Sequence, residues 1–336
     1  MPSPLASIIL VAWNSAAYLP RCLESLAAQT FTDFEIIVID NGSTDGCVDD
    51  LPARWPGLNL RLVPLPKNTG FSAANNLGAR LARGEWLALL NTDAFPESAW
   101  LENLLRAAGE NPQYHFFSSR QLSALDAERL DGDGDAYHVS GLAWRWGLGY
   151  PAASRGLENR EVFGACGAAA LYRRDVFLQV GGFDEDLFSY LEDVDLSFRL
   201  RLAGHRCLYV ANAIVHHIAS ASLGVASDFA LYHANRNMVW IWLRNMPDAL
   251  LWRFLLQHLF ANLIYVLYYL SRGRGALLLR AKRDAWRGLP KIWQKRKITQ
   301  AGRIASDAEL LAVMERGLLQ PYLLGVHLRA AWKRHK

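Results

Sequence analysis

The sequence predicts an α/β fold, a doubly wound sheet followed by a helical appendage, and three observations predict it. Between residues 7 and 108, short runs rich in Ile and Val alternate with stretches of helical periodicity. Polar, glycine-bearing runs follow those apolar runs directly, at the rim where open α/β sheets take their ligands. Past Ser222 the alternation stops, and long aromatic-rich helical stretches take over.

Taken in order, residues 7–11 and 34–39 are near-continuous apolar runs, the pattern of strands covered on both faces. Between them Leu19, Cys22, Leu23 and Leu26 recur at spacings of three and four, so residues 16–29 read as a crossover helix with Asn14-Ser15 as its N-cap. Residues 60–63 then read as strand, 71–81 as helix, 86–90 as strand and 97–108 as helix. Gly, Asp and aromatic residues crowd 131–159, with Trp144 and Trp146 among them, which predicts an excursion over one side of the rim. Residues 163–173 read as strand, 190–203 as helix and 206–210 as strand. Residues 229–243 and 250–270 are helical. A chain of 336 residues divides accordingly into residues 1–225 and a helical region, 226–336.

Composition narrows the class. Apolar residues make up 51% and charged residues 20%, which suits a folded protein and is too polar for a polytopic membrane protein. Cys22, Cys47, Cys166 and Cys207 form no Cys-x-x-Cys pair, so neither a zinc knuckle nor a disulfide framework is implied, and a reducing cytoplasm fits. No basic residue precedes the first apolar run, which reads as a strand rather than a signal peptide. The net charge of +4 conceals a stretch, residues 272–297, with ten Lys or Arg against Asp284 alone. The 17 residues before it, 254–270, carry no formal charge but contain Gln257, His258 and Asn262. A spanning helix needs about 20 mainly apolar residues. The segment therefore reads as a helix lying in a membrane interface, with a helix pair packed on the first domain as the alternative. Nucleic acid is not an expected partner.

The candidate site residues follow the strands. Val11, Trp13 and Asn14 end the first strand and offer contacts to a base or ribose. Asp40, Gly42 and Ser43 follow the second; a carboxylate there accepts a hydrogen bond from the imide of uracil or thymine, although the run alone is also an ordinary turn. Asn68, Gly70 and Asn75 open the next helix, where small residues and the helix N-terminus favour close approach by an anion, or simply a helix cap. Asn91, Thr92 and Asp93 end the following strand; period-two alternation puts Asn91 and Asp93 on one side, suited to a hard cation such as Mg²⁺ or Mn²⁺. Ser189 and Glu192 have capping-box spacing, and Asp195 with Arg199 has the spacing of a helical ion pair. Of His216 and His217, alternation lets one face the rim.

These runs, in this order, resemble the family 2 glycosyltransferases, in particular the bacterial rhamnosyltransferase-like branch. The second half agrees: Gly164-Ala165-Cys166-Gly167, Arg173-Arg174-Asp175, Gly181-Gly182-Phe183-Asp184-Glu185, Glu192-Asp193-Val194-Asp195 and His216-His217 follow the family pattern. The resemblance covers about residues 7–222. It implies a GT-A (nucleotide-diphospho-sugar transferase) fold, a Rossmann-like mixed sheet, with residues 1–110 as the nucleotide-sugar half and 111–225 as the acceptor half. Asp40 would hold the nucleobase, Asp93 and His217 the divalent metal, and Asp193, beside Glu192, would be the general base of an inverting transfer. The sequence departs from the pattern at Ala12-Trp13, at Asn91, where a second carboxylate would strengthen the metal motif, and at Asn212.

The expected reaction moves a hexose or deoxyhexose such as rhamnose from a dTDP- or UDP-sugar to a glycan or polyprenyl-linked acceptor in cell-surface polysaccharide synthesis, at the inner membrane face. A nucleotide-sugar-binding protein without turnover is the rival, separable by sugar release from a labelled donor. A dehydrogenase is excluded, because Trp13-Asn14-Ser15 stands where Gly-x-Gly-x-x-Gly would be required.

Overall fold

A computed structural model describes residues 3–218 and 227–318. The expected domain boundary near residue 225, Ser222 and residues 319–336 lie outside the described residues.

The first half alternates as the apolar runs dictate: β1 (Ala6–Ala12), α1 (Leu19–Ala27), β2 (Phe34–Asp40), a short α2 (Leu51–Arg54), β3 (Leu60–Pro64), α3 (Phe71–Leu81) and β4 (Trp86–Asn91). Then come β5 (Ala94–Pro96), α4 (Trp100–Glu110), β6 (Phe116–Ser123), β7 (Leu130–Gly132), β8 (Asp135–Tyr137), β9 (Ala143–Arg145) and β10 (Arg160–Val162). The second half closes with β11 (Ala169–Arg173), α5 (Arg174–Gln179), α6 (Glu192–Leu202) and β12 (Cys207–His217). Helices α7 (Asp228–Asn245), α8 (Asp248–Leu270), α9 (Gly275–Arg287), α10 (Leu289–Ala301) and α11 (Asp307–Val313) follow.

The main sheet runs β10-β12-β6-β11-β4-β1-β2-β3, with β5 on β12 and β7 on β6. Strands β3, β2, β1 and β4 are parallel, but β11 lies antiparallel between β4 and β6, so the sheet is mixed rather than doubly wound throughout. Every residue of β2 is buried, as a strand covered on both faces must be. One apolar layer packs α1 and α4 on one face; another packs α3, α5 and α6 on the other.

Several expected boundaries move. The first helix begins at Leu19, not residue 16, with Pro20 in its first turn and Tyr18 at its N-cap, and Asn14-Ser15 does not cap it. Helix α4 starts three residues later than expected because Ala94–Pro96 is drawn into pairing with β12. Residues 163–173 are not one strand: the chain breaks at Phe163 and resumes extended structure at Ala169. Strand β12 runs on to His217 across an irregularity between Val210 and Ile214. Helices α7, α8 and α11 pack back on the second half of the sheet domain, with Ile241 and Trp242 joining Tyr137, Phe163 and Phe198 in one buried cluster.

Candidate active site

Register sets the geometry. Val11 pairs with Asn91 across β1 and β4, and Ala12 pairs with Asp40 across β1 and β2, so the residues after these strands share one rim. A cavity of about 710 Å³ opens there. Val11 and Trp13, Asn68 and Gly70, and Asn91, Thr92 and Asp93 line it from the first half; Glu192, Asp193 and His217 line it from the second. The carboxylates of residues 93 and 193 therefore face one space.

Five expected nucleotide-binding residues do not line the cavity. Asn14, at φ +50°, accepts from Thr44 N–H at 2.9 Å and donates its own N–H to Ser43 Oγ at 3.1 Å. Asp40 accepts from Ser43 N–H at 2.9 Å. Gly42 sits at φ +76°, where a Cβ would come within 2.7 Å of the Lys67 backbone. These four hold the loops after β1, β2 and β3 together. Asn75 donates to Phe71 O, one turn back on its own helix. The neighbour of Asp40, Asn41, does line the cavity, and its amide joins Thr69 N–H, Asn68 and Gly70.

On the cation side, β5 pairs with β12 and brings Asp93 against His217, whose Nε2 lies 3.4 Å from Asp93 Oδ1. The ring's Nδ1 lies 2.8 Å from Asp131 Oδ2. His216 points to the other side and meets Glu97 instead. Burial opposes protonation of His217, but the hydrogen bonds to Asp131 and Asp93 outweigh it and push the imidazole up to about 9. A carboxylate oxygen and an imidazole nitrogen converging on one point, with an outer carboxylate orienting the ring, form a donor set that fits a divalent cation such as Mn²⁺. Asp135, Cys166 and Asp193 also bring ligand atoms within 4.8 Å of one another, but a thiol is a poor partner for a hard cation.

Asp193 stands in the first turn of α6. Its Oδ2 accepts from Gly167 N–H at 2.9 Å and its Oδ1 from Val194 N–H at 2.8 Å. Burial nonetheless raises its pKa above the usual carboxylate range, with those N–H groups and Arg145 opposing. Glu192 is not held in a capping box with Ser189: the N-cap is Leu191 in the left-handed region, and no side chain caps the helix. Its Oε2 is buried without a protein partner, and burial together with the charge of Asp193 pushes its carboxyl well above the ordinary value.

The turn presenting this pair is strained. Phe188, Tyr190 and Leu191 all have positive φ, which costs on the order of 1–3 kcal/mol each. Asn237 of α7, fully buried, donates to the carbonyls of Leu187, Ser189 and Tyr190 and holds the turn in place. Gly70 allows the Phe188 ring to lie against its backbone, since a Cβ there would meet that ring at 2.7 Å.

Sequence reasoning missed the far wall. Asp135 and Arg145 line the cavity from the excursion, where β8 and β9 form a hairpin, and Arg145 ion-pairs with Asp131. Asp133, buried between, holds Arg155 at 2.7 Å and Arg160 at 2.9 Å and fastens the excursion down. The cluster of acids at 131, 133 and 135 was the available signal, although the chain turns between β7 and β8 and sends Asp133 to Arg155 and Arg160 and Asp135 to the cavity. Trp144, Tyr190 and Phe229 add an aromatic wall, and Trp144 Nε1 is buried without a protein partner.

Known proteins resemble this arrangement. The profile of glycosyl transferase family 2 matches residues 7–181. N-acetylglucosaminyl-diphospho-decaprenol L-rhamnosyltransferase of Mycobacterium tuberculosis (strain CDC 1551 / Oshkosh) is 31% identical over 255 residues, covering 67% of this chain and 80% of that protein. A PGL/p-HBAD biosynthesis glycosyltransferase of Mycobacterium bovis (strain BCG / Pasteur 1173P2) is 33% identical over 201 residues, covering 59% and 70%. A mannosyltransferase from Pyrobaculum calidifontis, solved with GDP-Man and Mn²⁺, superposes with a TM-score of 0.55 at 17% identity, over 93% of this chain and 86% of that one. GalNAc-T7, solved with UDP, GalNAc and Mn²⁺, gives 0.58 at 19% identity, over 71% of this chain and 47% of that longer one. The fold shared with these structures is GT-A.

Proposed function

The chain belongs to the family 2 glycosyltransferases, in their rhamnosyltransferase-like branch, and from that membership we propose a metal-dependent, inverting transfer of a hexose or deoxyhexose. The donor is a dTDP- or UDP-sugar, rhamnose being the sugar favoured by the relatives. The acceptor is a glycan or polyprenyl-linked sugar in cell-surface polysaccharide synthesis at the cytoplasmic membrane face. The observation that carries this reading is that Asp93 and Asp193, remote in sequence, line one cavity.

Residues 1–110 supply the donor side, with Val11, Trp13 and Asn41 at the nucleoside and Asn68 and Gly70 beside the phosphates; residues 111–225 supply the acceptor side. Asp93 and His217 would hold Mg²⁺ or Mn²⁺, which supplies positive charge for the departing diphosphate. Asp193 takes the proton of the attacking acceptor hydroxyl, because its two oxygens are already turned and its charge supported by the N–H groups of Gly167 and Val194. Glu192, whose carboxyl is driven to its neutral form, donates to an acceptor oxygen. In-line attack opposite the diphosphate gives inversion.

The test is a calorimetric screen of nucleotide-diphosphate sugars with and without Mn²⁺, followed by transfer assays with the binders. Donor binding with transfer supports the proposal. Binding without sugar release by the wild type would leave a sensor and remove the enzyme.

A further inference from the structure

Helix α8 is, among the described residues, the one long and apolar enough to cross a membrane. It cannot be surrounded by lipid. His258 stacks on Trp242 with centroids 4.0 Å apart and bonds Ser140 O at 2.8 Å, and Asn262 Oδ1 accepts from the Lys282 ammonium, so one side of α8 is fixed to the protein through polar groups. The opposite side is bare. Trp252, Leu256, Leu259, Leu263 and Leu267 recur at spacings of four and three along one stripe, with Trp252 71% and Leu256 79% exposed.

The charge beside this stripe is net positive. Of the ten basic residues in 272–297, Lys282, Lys291, Lys295 and Arg296 are spent on internal partners. Arg280, Arg283 and Arg287 of α9 are each more than half exposed and share a single carboxylate, Asp284, at 3.9, 3.1 and 3.7 Å. Exposed Leu279 and Trp286 lie together on the same helix, beside the arginines. Apolar side chains flanked by three guanidinium groups that share one carboxylate, a net positive charge, match the acyl boundary and headgroups of an anionic bilayer, whereas a second copy of the same basic face would be repelled.

We propose that the α8 stripe and the α9 arginines form a docking face that lies in the surface of an anionic membrane. The helix that carries the stripe adjoins the cavity through its packed side: Tyr265 of α8 lies in one cluster with Trp144 and Leu191, both of which line it. Docking therefore holds the aromatic wall of the cavity beside the leaflet, where a lipid-linked acceptor is anchored. That last step rests on the proposed acceptor; the docking does not.

Flotation of the full chain with vesicles of phosphatidylglycerol and phosphatidylcholine, against phosphatidylcholine alone, tests it. The wild type is expected to float with anionic vesicles and to be released by salt. Leu256→Glu with Leu263→Glu, at exposed positions, should weaken flotation at least about tenfold, with the circular dichroism and Tm unchanged. Arg280→Ser, Arg283→Ser and Arg287→Ser together should remove the preference for anionic lipid. A wild type that stays in the soluble fraction, or an apolar-face variant that floats equally well, overturns the proposal, as does a dimer in light scattering that the same variants dissolve. Flotation without sugar transfer to any acceptor would leave the docking standing and remove the proposed function.

Discussion

Oδ2 of Asp131 lies 2.8 Å from Nδ1 of His217, while the ring's other nitrogen lies 3.4 Å from Oδ1 of Asp93. The imidazole is thus held by one carboxylate so that its other nitrogen meets the second. An outer carboxylate of this kind orients a metal-binding ring. Asp131→Asn is expected to lower Mn²⁺ affinity by about 10–100-fold, measured by calorimetry, while metal-free nucleotide binding stays the same. Unchanged Mn²⁺ affinity in a folded variant would remove Asp131 from that role.

Asp193 is the residue asked to take a proton. Asp193→Asn keeps the shape of the side chain and should reduce turnover by about 10²–10⁴-fold with donor affinity close to wild type. A variant with full turnover refutes the assignment. Because burial raises the Asp193 pKa, and the ionised form is the working one, activity should fall as pH drops through a value above that of an ordinary aspartate. A profile of kcat/KM against pH checks this; an acid limb at the ordinary aspartate value contradicts it.

Asn237 acts on the site from behind. Its one amide restrains a turn with three non-glycine residues at positive φ, and that turn carries Glu192 and Asp193. Asn237→Ala should cost about 1–3 kcal/mol of stability and lower kcat more than it raises KM for donor. Loss of stability with kcat intact would make the residue purely structural.

Asp195 ties α6 to the helical region, meeting Arg199 at 2.7 Å, Arg244 at 3.5 Å and Asn245 at 2.8 Å. Burial alone would raise its carboxyl, but Arg199, Arg244 and Asn245 outweigh it and hold the pKa below the usual range. A depressed carboxyl contributes stability above its unfolded pKa, and the contribution is lost as pH falls through the folded value. Asp195→Ala should therefore lose about 3–5 kcal/mol near neutral pH, measured by urea unfolding, with the difference from wild type shrinking in acid. A difference that does not change with pH would show that the ion pairs are not its source.

The alternation of strands and helices through β4 was readable because each apolar run carries its own period, a local property of the chain. The same locality marked Val11, Trp13, Asn91 and Asp93, since residues following a strand of a parallel sheet share a rim whatever surrounds them. Alternation likewise required that only one of His216 and His217 face the rim; which of them does was not fixed by alternation, and in the structure it is His217.

What the sequence by itself determined is the set of strand tips that meet around the cavity and the apolar character of α8. The tertiary structure alone decided that β11 enters antiparallel, that Asn14 and Asn75 bond to backbone and side chains of the protein rather than face the cavity, and that Asp135 and Arg145 close the far wall while Asp131 holds Arg145 and His217. The reason is physical: hydrophobic periodicity is fixed by neighbours along the chain. The partner of a polar side chain, by contrast, is whichever group packing brings within about 3 Å, and that group comes from elsewhere in the chain.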